Sequence, residues 1–300
     1  MSSPFRYYHS GLSVASDIEL PEWEAFALSG AGEPDVRIVL SDRPSPECPA
    51  DGSVAGLQTL RFAIEGIGAW QVEGGHTILL HPGLATRPEE VRLFTLGSAW
   101  GGLGYQRGFA MWHGSAVRIG EQTVLLCGDS GAGKSTMAAA LCARGGVLVT
   151  DDLGRVEPSA RGALVHPASS RIKLWSEATG HLGWQDRILQ RDYYRDDKFH
   201  CSAPESAAGE GSQELAAIVA LADGETVEVE RVTGSAALQT IMAGTLYRPQ
   251  MLDALGGWGR QGALAAQIAS QCPVFTLRRP KDFAALDTVC ERIEELLRTV

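Results

Sequence analysis

Between about Tyr7 and Gly83, short apolar and aromatic runs recur, among them DVRIVL, LRFAIEG, AWQVEGG and HTILLHP, each cut off by Gly, Pro or Asp. Runs of this kind between turn formers predict strands, and their spacing predicts an antiparallel, strand-rich N-terminal unit. From Pro88 to Arg107, PEEVRLFTLGSAWGGLGYQR, the spacing becomes helical, with Val91, Phe94, Leu96 and Trp100 as candidate core contacts. The next stretch, from Met111 to Pro158, reads as strand, turn, strand, glycine loop, helix, strand. Its helix is expected to begin at Lys134, because the alanines Ala138, Ala139 and Ala140 favour helix, and to stop before the pair Gly145 and Gly146. Farther on, QELAAIVALAD and ETVEVERVT predict strands, while GSAALQTIMAGTLYR and DTVCERIEELLRTV predict amphipathic helices. The pattern therefore predicts an α/β core at residues 108–300 behind a β-rich domain with a linking helix at residues 1–107.

Composition sharpens this picture. Apolar residues make up 44% and charged residues 21% of the 300, which is the balance of a folded globular chain. A formal net charge of -10 repels phosphate backbones, so general nucleic-acid binding is not expected. No stretch is apolar for long enough to span a bilayer, and MSSPFRYYHSGLS lacks the hydrophobic core of a signal peptide. The expected setting is cytoplasmic, with no membrane partner. The six cysteines are scattered, without a C-x-x-C pair, and read as reduced thiols.

The chemistry concentrates at CGDSGAGKST. Gly128 to Ser135 spells G-x-x-x-x-G-K-S, behind an apolar strand and ahead of a helix former, which is the context of a phosphate-binding loop. Gly128, Asp129, Ser130, Gly131, Ala132 and Gly133 would turn backbone N–H groups toward phosphate oxygens, and Thr136 follows in the first helical turn. Lys134 would reach the terminal phosphates, and Ser135 offers its hydroxyl to magnesium. ATP and Mg²⁺ are the expected ligands.

Asp151 and Asp152 follow the apolar run VLVT closely behind that helix. Carboxylates at the end of a strand beside a phosphate loop are placed to hold magnesium. Adjacent strand residues point to opposite sides, so one carboxylate could face the metal and the other an incoming hydroxyl. Phosphoryl transfer to an alcohol needs both tasks.

These residues, HGSAV followed by GDSGAGKST and VLVTDD, resemble the catalytic domain of HPr kinase/phosphorylase and its smaller serine-kinase relatives, whose nucleotide fold is similar to that of phosphoenolpyruvate carboxykinase. HPASSRIKLW and YYHSGLSVASDIELPE resemble HPr-kinase-related proteins of peptide maturation, including kinases of lasso-peptide precursors. The resemblance implies a P-loop kinase fold and transfer of a γ-phosphoryl group to a serine of a protein or precursor peptide. It further implies Asp151 as the base, Asp152 as its assistant and magnesium ligand beside Ser135, and His113 near the phosphates. A homo-oligomer is left open by the family's assemblies. The arginine-glycine signature of the bifunctional enzymes has no clear counterpart, which favours the forward kinase reaction over a kinase/phosphorylase.

Arg171 and Lys173 alternate with Ile172 and Leu174, so a strand would present both cations on one face, as a clamp for a phosphate or an acidic peptide end. DRILQRDYYRDDKFH reads as a solvated helix or mobile loop. The alternative is a lid over the acceptor, with Arg195 and Lys198 as its phosphate contacts. Arg278 and Arg279 read as surface charges. Two other functional classes remain open at this level: a nucleotide-gated peptide-binding module without transfer, in which a sheet edge captures the peptide, and a carboxykinase-like or phosphatase activity on a small metabolite.

Overall fold

The computed structural model describes residues 5–30, 32–42, 48, 59–83 and 86–300, and each N-terminal apolar run forms a strand there. Phe5–His9 and Leu12–Ser16 form a hairpin, and the sheet continues in the order Val36–Leu40, Thr77–Pro82, Gly68–Glu73, Thr59–Ile64. The expectation of an antiparallel sheet is corrected: Val36–Leu40 runs parallel to both Leu12–Ser16 and Thr77–Pro82. The reason lies in the connections. After Leu12–Ser16 the chain passes through the 3₁₀ turn Pro21–Phe26 before it returns to the sheet, and such a crossover, unlike a tight hairpin, allows parallel re-entry. Val14, Ile38, Val72, Ile78 and Leu80 are fully buried in this sheet.

The linking helix forms as Pro88–Phe94 and Trp100–Gln106, joined by the π turn Thr95–Ala99. Val91 and Trp100 are buried as expected, but Phe94 and Leu96 are only half-buried and Thr95 takes a core position. The wider π turn inserts a residue into the helical period and rotates the inward face. The buried Thr95 hydroxyl is satisfied, donating to the Val91 carbonyl at 2.7 Å and accepting from Trp70 Nε1 at 2.9 Å.

Of the described residues, those up to Met111 together with Tyr247–Gln261 form one compact unit, and Trp112–Leu246 with Gly262–Val300 form a second. In the second unit the strand order is Val147–Thr150, Ser115–Ile119, Gln122–Cys127, Gln213–Asp223, Gly162–Val165, Gly154–Ser159. Val274–Arg279 pairs with the far end of Gln213–Asp223, and Glu228–Val232 pairs with Val274–Arg279. Gln122–Cys127, Gln213–Asp223 and Val274–Arg279 are mutually parallel neighbours, so their carboxyl ends converge where open α/β sheets hold ligands.

The helix after the loop is Lys134–Ala143, as the alanine run and the glycine stop predict, and VLVT is the fully buried strand Val147–Thr150. Met137 and Leu141 share one apolar core with Val124, Val219 and Leu277 of the sheet. The C-terminal helix Leu286–Leu297 adds Leu286, Val289, Cys290, Ile293 and Leu297 to that core, an i, i+3, i+4, i+7 stripe.

A second, three-stranded sheet orders Arg171–Trp175, Lys198–Ser202 and Ile188–Arg191. Residues 186–200, expected as a solvated helix or mobile loop, are instead chiefly a β-hairpin. Their charges misled because the apolar partners are supplied by a distant strand: Ile172 and Leu174 join Cys201 in the core, while the polar side chains alternate outward. All six cysteines are free, and burial pushes the thiols of Cys127, Cys142, Cys272 and Cys290 up to about 12. No described helix is long and apolar enough to cross a membrane.

Candidate functional site

The glycine loop leaves the strand at Cys127 and enters the helix at Lys134. Two positions require glycine. Gly128 has φ +131°, and a Cβ there would lie 2.7 Å from the Leu221 carbonyl oxygen. Gly133, at φ +84°, caps the helix in the left-handed region, and a Cβ would come within 2.5 Å of Arg279 Nη2. Asp129, Ser130 and Gly131 are exposed, Ala132 is buried, and Ser135 and Thr136 are half-buried in the first helical turn. The helix thus presents its unpaired N-terminal amides beneath an open loop. Lys134 Nζ turns back to donate to the carbonyls of Gly128 at 2.8 Å and Asp129 at 2.9 Å, and burial lowers the affinity of the ammonium for its proton. The cation is held inside the loop by those two carbonyls.

The two aspartates occupy different environments. Asp151 is buried; its Oδ1 accepts from Ser115 Oγ at 2.7 Å and Ser135 Oγ at 2.8 Å, and its Oδ2 accepts from the Lys173 backbone N–H at 3.1 Å. Burial, reinforced by the charge of Asp152, raises its pKa against the pull of those three donors. Asp152 is half-buried, with Oδ2 accepting from Lys173 Nζ at 2.9 Å and Oδ1 lying 3.9 Å from His113 Nε2. The Lys173 ammonium beside it holds this carboxyl well below the usual carboxylate range.

Strand alternation is not what separates them. The strand ends at Thr150, and Asp152 adopts a left-handed conformation, φ +73°, that turns its side chain away from Asp151's. Ser135, expected beside Asp152 as a magnesium ligand, donates its hydrogen bond to Asp151.

His113 is half-buried at the start of its segment, its backbone N–H donating to the Thr245 carbonyl at 2.7 Å. Burial, with a smaller push from Lys134, depresses its pKa against the attraction of Asp152, which favours a neutral imidazole. Arg171 and Lys173 share one face of Arg171–Trp175, as the alternation predicts, and Lys173 is the member that bonds Asp152. Lys198 approaches the same carboxylate: burial chiefly lowers its pKa, Asp152 raises it, and Lys173 and Arg195 lower it further. Arg195 lies over the Trp175 ring, with its guanidinium carbon 5.5 Å from the ring centre.

Two residues escaped the sequence reading. Ser115 was visible only as part of HGSAV; its pairing opposite Leu126 brings its hydroxyl beside the loop strand and onto Asp151. Arg279, read as a surface charge, is 8% exposed. It ends the strand Val274–Arg279, and its guanidinium donates to the Ala132 carbonyl of the loop at 2.7 Å and to the Pro280 carbonyl at 3.1 Å. Position at the carboxyl end of a parallel strand, just ahead of a proline, was the available signal.

Residues 108–180 match the family described as the HPr Serine kinase C-terminal domain. Over 188 residues, 60% of this chain, the sequence is 30% identical to a Bifidobacterium longum (strain NCC 2705) protein named as an ABC transporter ATP-binding protein; that stretch is 22% of the relative, so the chain spans about a fifth of its length. The solved HPr(Ser) kinase/phosphatase from Coxiella burnetii aligns with 63% of this chain and 98% of its own at 13% identity and a TM-score of 0.33. The segment that carries the glycine loop and the aspartate pair is HPr-kinase-like. That match is consistent with the mixed α/β, P-loop kinase scaffold of the second unit.

Proposed function

We propose that this chain is an ATP- and Mg²⁺-dependent kinase that transfers a γ-phosphoryl group to a serine hydroxyl of a protein or precursor peptide, including the lasso-peptide precursors on which the kinases it resembles act. In this reading the catalytic domain is the HPr-kinase-like part at residues 108–300. The observation that carries the proposal is the meeting, at the end of one loop, of Ser135 with a buried carboxylate and of a second, accessible carboxylate with cations.

The amides from Gly128 to Thr136 and the Lys134 ammonium bind the phosphates; Lys134 exchanges two loop carbonyls for phosphate oxygens, a stronger charge-assisted pairing. Ser135 and Asp151 are hard oxygen donors 2.8 Å apart and suit Mg²⁺. Among the described residues no cluster of three or more His, Cys, Asp or Glu side chains could hold a metal, so phosphate oxygens and water complete the set, the usual arrangement for this ion. Bound magnesium supplies charge neutralisation of the phosphates.

Asp152 is the carboxylate an acceptor can reach, and we assign to it the general-base role that the resemblance implied for Asp151. It accepts the hydroxyl proton as the oxygen attacks phosphorus and the bond from phosphorus to the β-bridging oxygen breaks. Lys173 and His113 orient it, and the Lys173 ammonium keeps it ionised. Asp151, enclosed by Ser115, Ser135 and the Lys173 N–H, has no comparable access. Incubation with Mg-ATP and serine peptides, followed by mass spectrometry, tests the proposal. A gain of one phosphate on the peptide supports it; nucleotide binding with unmodified peptide favours the peptide-binding module instead.

A further inference from the structure

The three-stranded sheet has a second face that the transfer chemistry does not use in full. Register places Trp175 opposite Lys198 and Lys173 opposite His200, with Arg171 two residues from Lys173, so all five side chains share the outward face. Lys198 Nζ and the Arg195 guanidinium carbon each lie 5.5 Å from the centre of the Trp175 ring, which is 46% exposed. Cation–π contact thus holds two cationic tips at the surface of the sheet. Of the acidic groups nearby, Asp152 pairs with Lys173, Asp192 lies 3.5 Å from His200 and Asp196 pairs with Arg191, while Asp197 directly precedes Lys198 in the chain. Arg171, Lys173 and Lys198 on one face, with Arg195 over Trp175, gather cations in a chain whose net charge is -10. This face borders Asp152, because Lys173 belongs to both.

We propose that this face docks an acidic segment of the acceptor polypeptide, whose carboxylates flank the acceptor serine and seat its hydroxyl at Asp152. The inference rests on the kinase reading and names its substrate class. A local basic face on an acidic protein steers an acidic partner to this edge, while the rest of the surface repels it. Trp175 adds an apolar platform between the charges, so an extended segment meets both an anchor and its counter-ions. Charge complementarity of this kind fixes where the segment lies more than how tightly it is held.

The test uses the full chain and short fluorescent peptides with one central serine flanked by glutamates, by glutamines or by lysines. Fluorescence anisotropy should give glutamate-flanked peptide at least roughly tenfold tighter binding than glutamine-flanked peptide at low salt, with lysine-flanked peptide weakest and the preference shrinking as salt is added. The double variant R195E/K198E, its fold checked by thermal melting, should reverse that order; R195E alone, on the exposed turn, serves if the double variant does not fold. Equal binding of the three peptides, or an unchanged order in the variant, overturns the docking proposal. Phosphoryl transfer is followed in the same samples. Equal transfer to all three peptides removes the docking face and leaves the kinase, whereas selective binding of the glutamate-flanked peptide without transfer leaves the docking face and removes the kinase.

Discussion

Asp151 and Asp152 are neighbours in sequence and opposites in surroundings. The first is buried, accepts from two serine hydroxyls and one amide, and has a raised pKa; the second is half-buried, faces Lys173 and His113, and has a depressed one. Two carboxyl groups whose environments push their pKa values apart are how a site divides its labour. The lesson concerns the backbone: a single left-handed residue after a buried strand sends one carboxylate to the loop serine and the other to Lys173 and His113.

The comparison is broken most forcefully at Asp152. Asp152→Asn should lower the transfer rate by about a thousandfold, within the range of a lost general base, with nucleotide affinity retained in calorimetry. A comparable loss of nucleotide binding in this variant would place Asp152 on the wrong side of the division. On the loop side, Lys134→Ala should weaken Mg-nucleotide binding by roughly a hundredfold, because a charge-assisted contact to phosphate disappears.

Arg279 tests how far the loop side extends. Arg279→Met removes the donor to the Ala132 carbonyl, so the melting curve should show a loss of about 1–3 kcal/mol, and nucleotide should bind about tenfold more weakly as the loop loosens. Wild-type affinity and melting would confine the loop's support to its own helix and strand.

The smallest effect separates the aspartates without any substrate. Asp152 has a folded pKa below its unfolded value, so its stabilisation is present above the ordinary carboxylate range and is lost as pH falls through the folded value. For Asp151, whose folded pKa is raised, the sign is opposite: ionisation at neutral pH costs stability, and the cost disappears as pH falls. At neutral pH, Asp152→Asn should therefore destabilise by about 1 kcal/mol after solvent screening, while the loss in Asp151→Asn, whose amide sets a donor against one of three donors, should widen as pH falls. The gap between wild type and Asp152→Asn should close as pH drops below about 4.

The sequence carried the parts of the site that are local. The helix Lys134–Ala143, the buried strand Val147–Thr150 and the glycine loop all rest on contacts between near neighbours, which propensity and spacing report. It could not carry Arg279 to Ala132, which are 147 residues apart, or Ser115 to Asp151, which are 36 apart. The charged hairpin was obscure for the same reason, since Phe199 and Cys201 bury their side chains against Ile172 and Leu174 of another strand. In the N-terminal sheet, alternation marked each strand but said nothing about direction, which the crossover after Leu12–Ser16 decides.

Mass spectrometry of one serine peptide incubated with Mg-ATP and either the wild type or Asp152→Asn, with nucleotide binding measured in both, tests the division between the aspartates most directly. The account predicts a phosphorylated peptide only with the wild type and equal nucleotide uptake by the two proteins. Equal phosphorylation by the variant, or no phosphate on any serine peptide presented to the wild type, would contradict it.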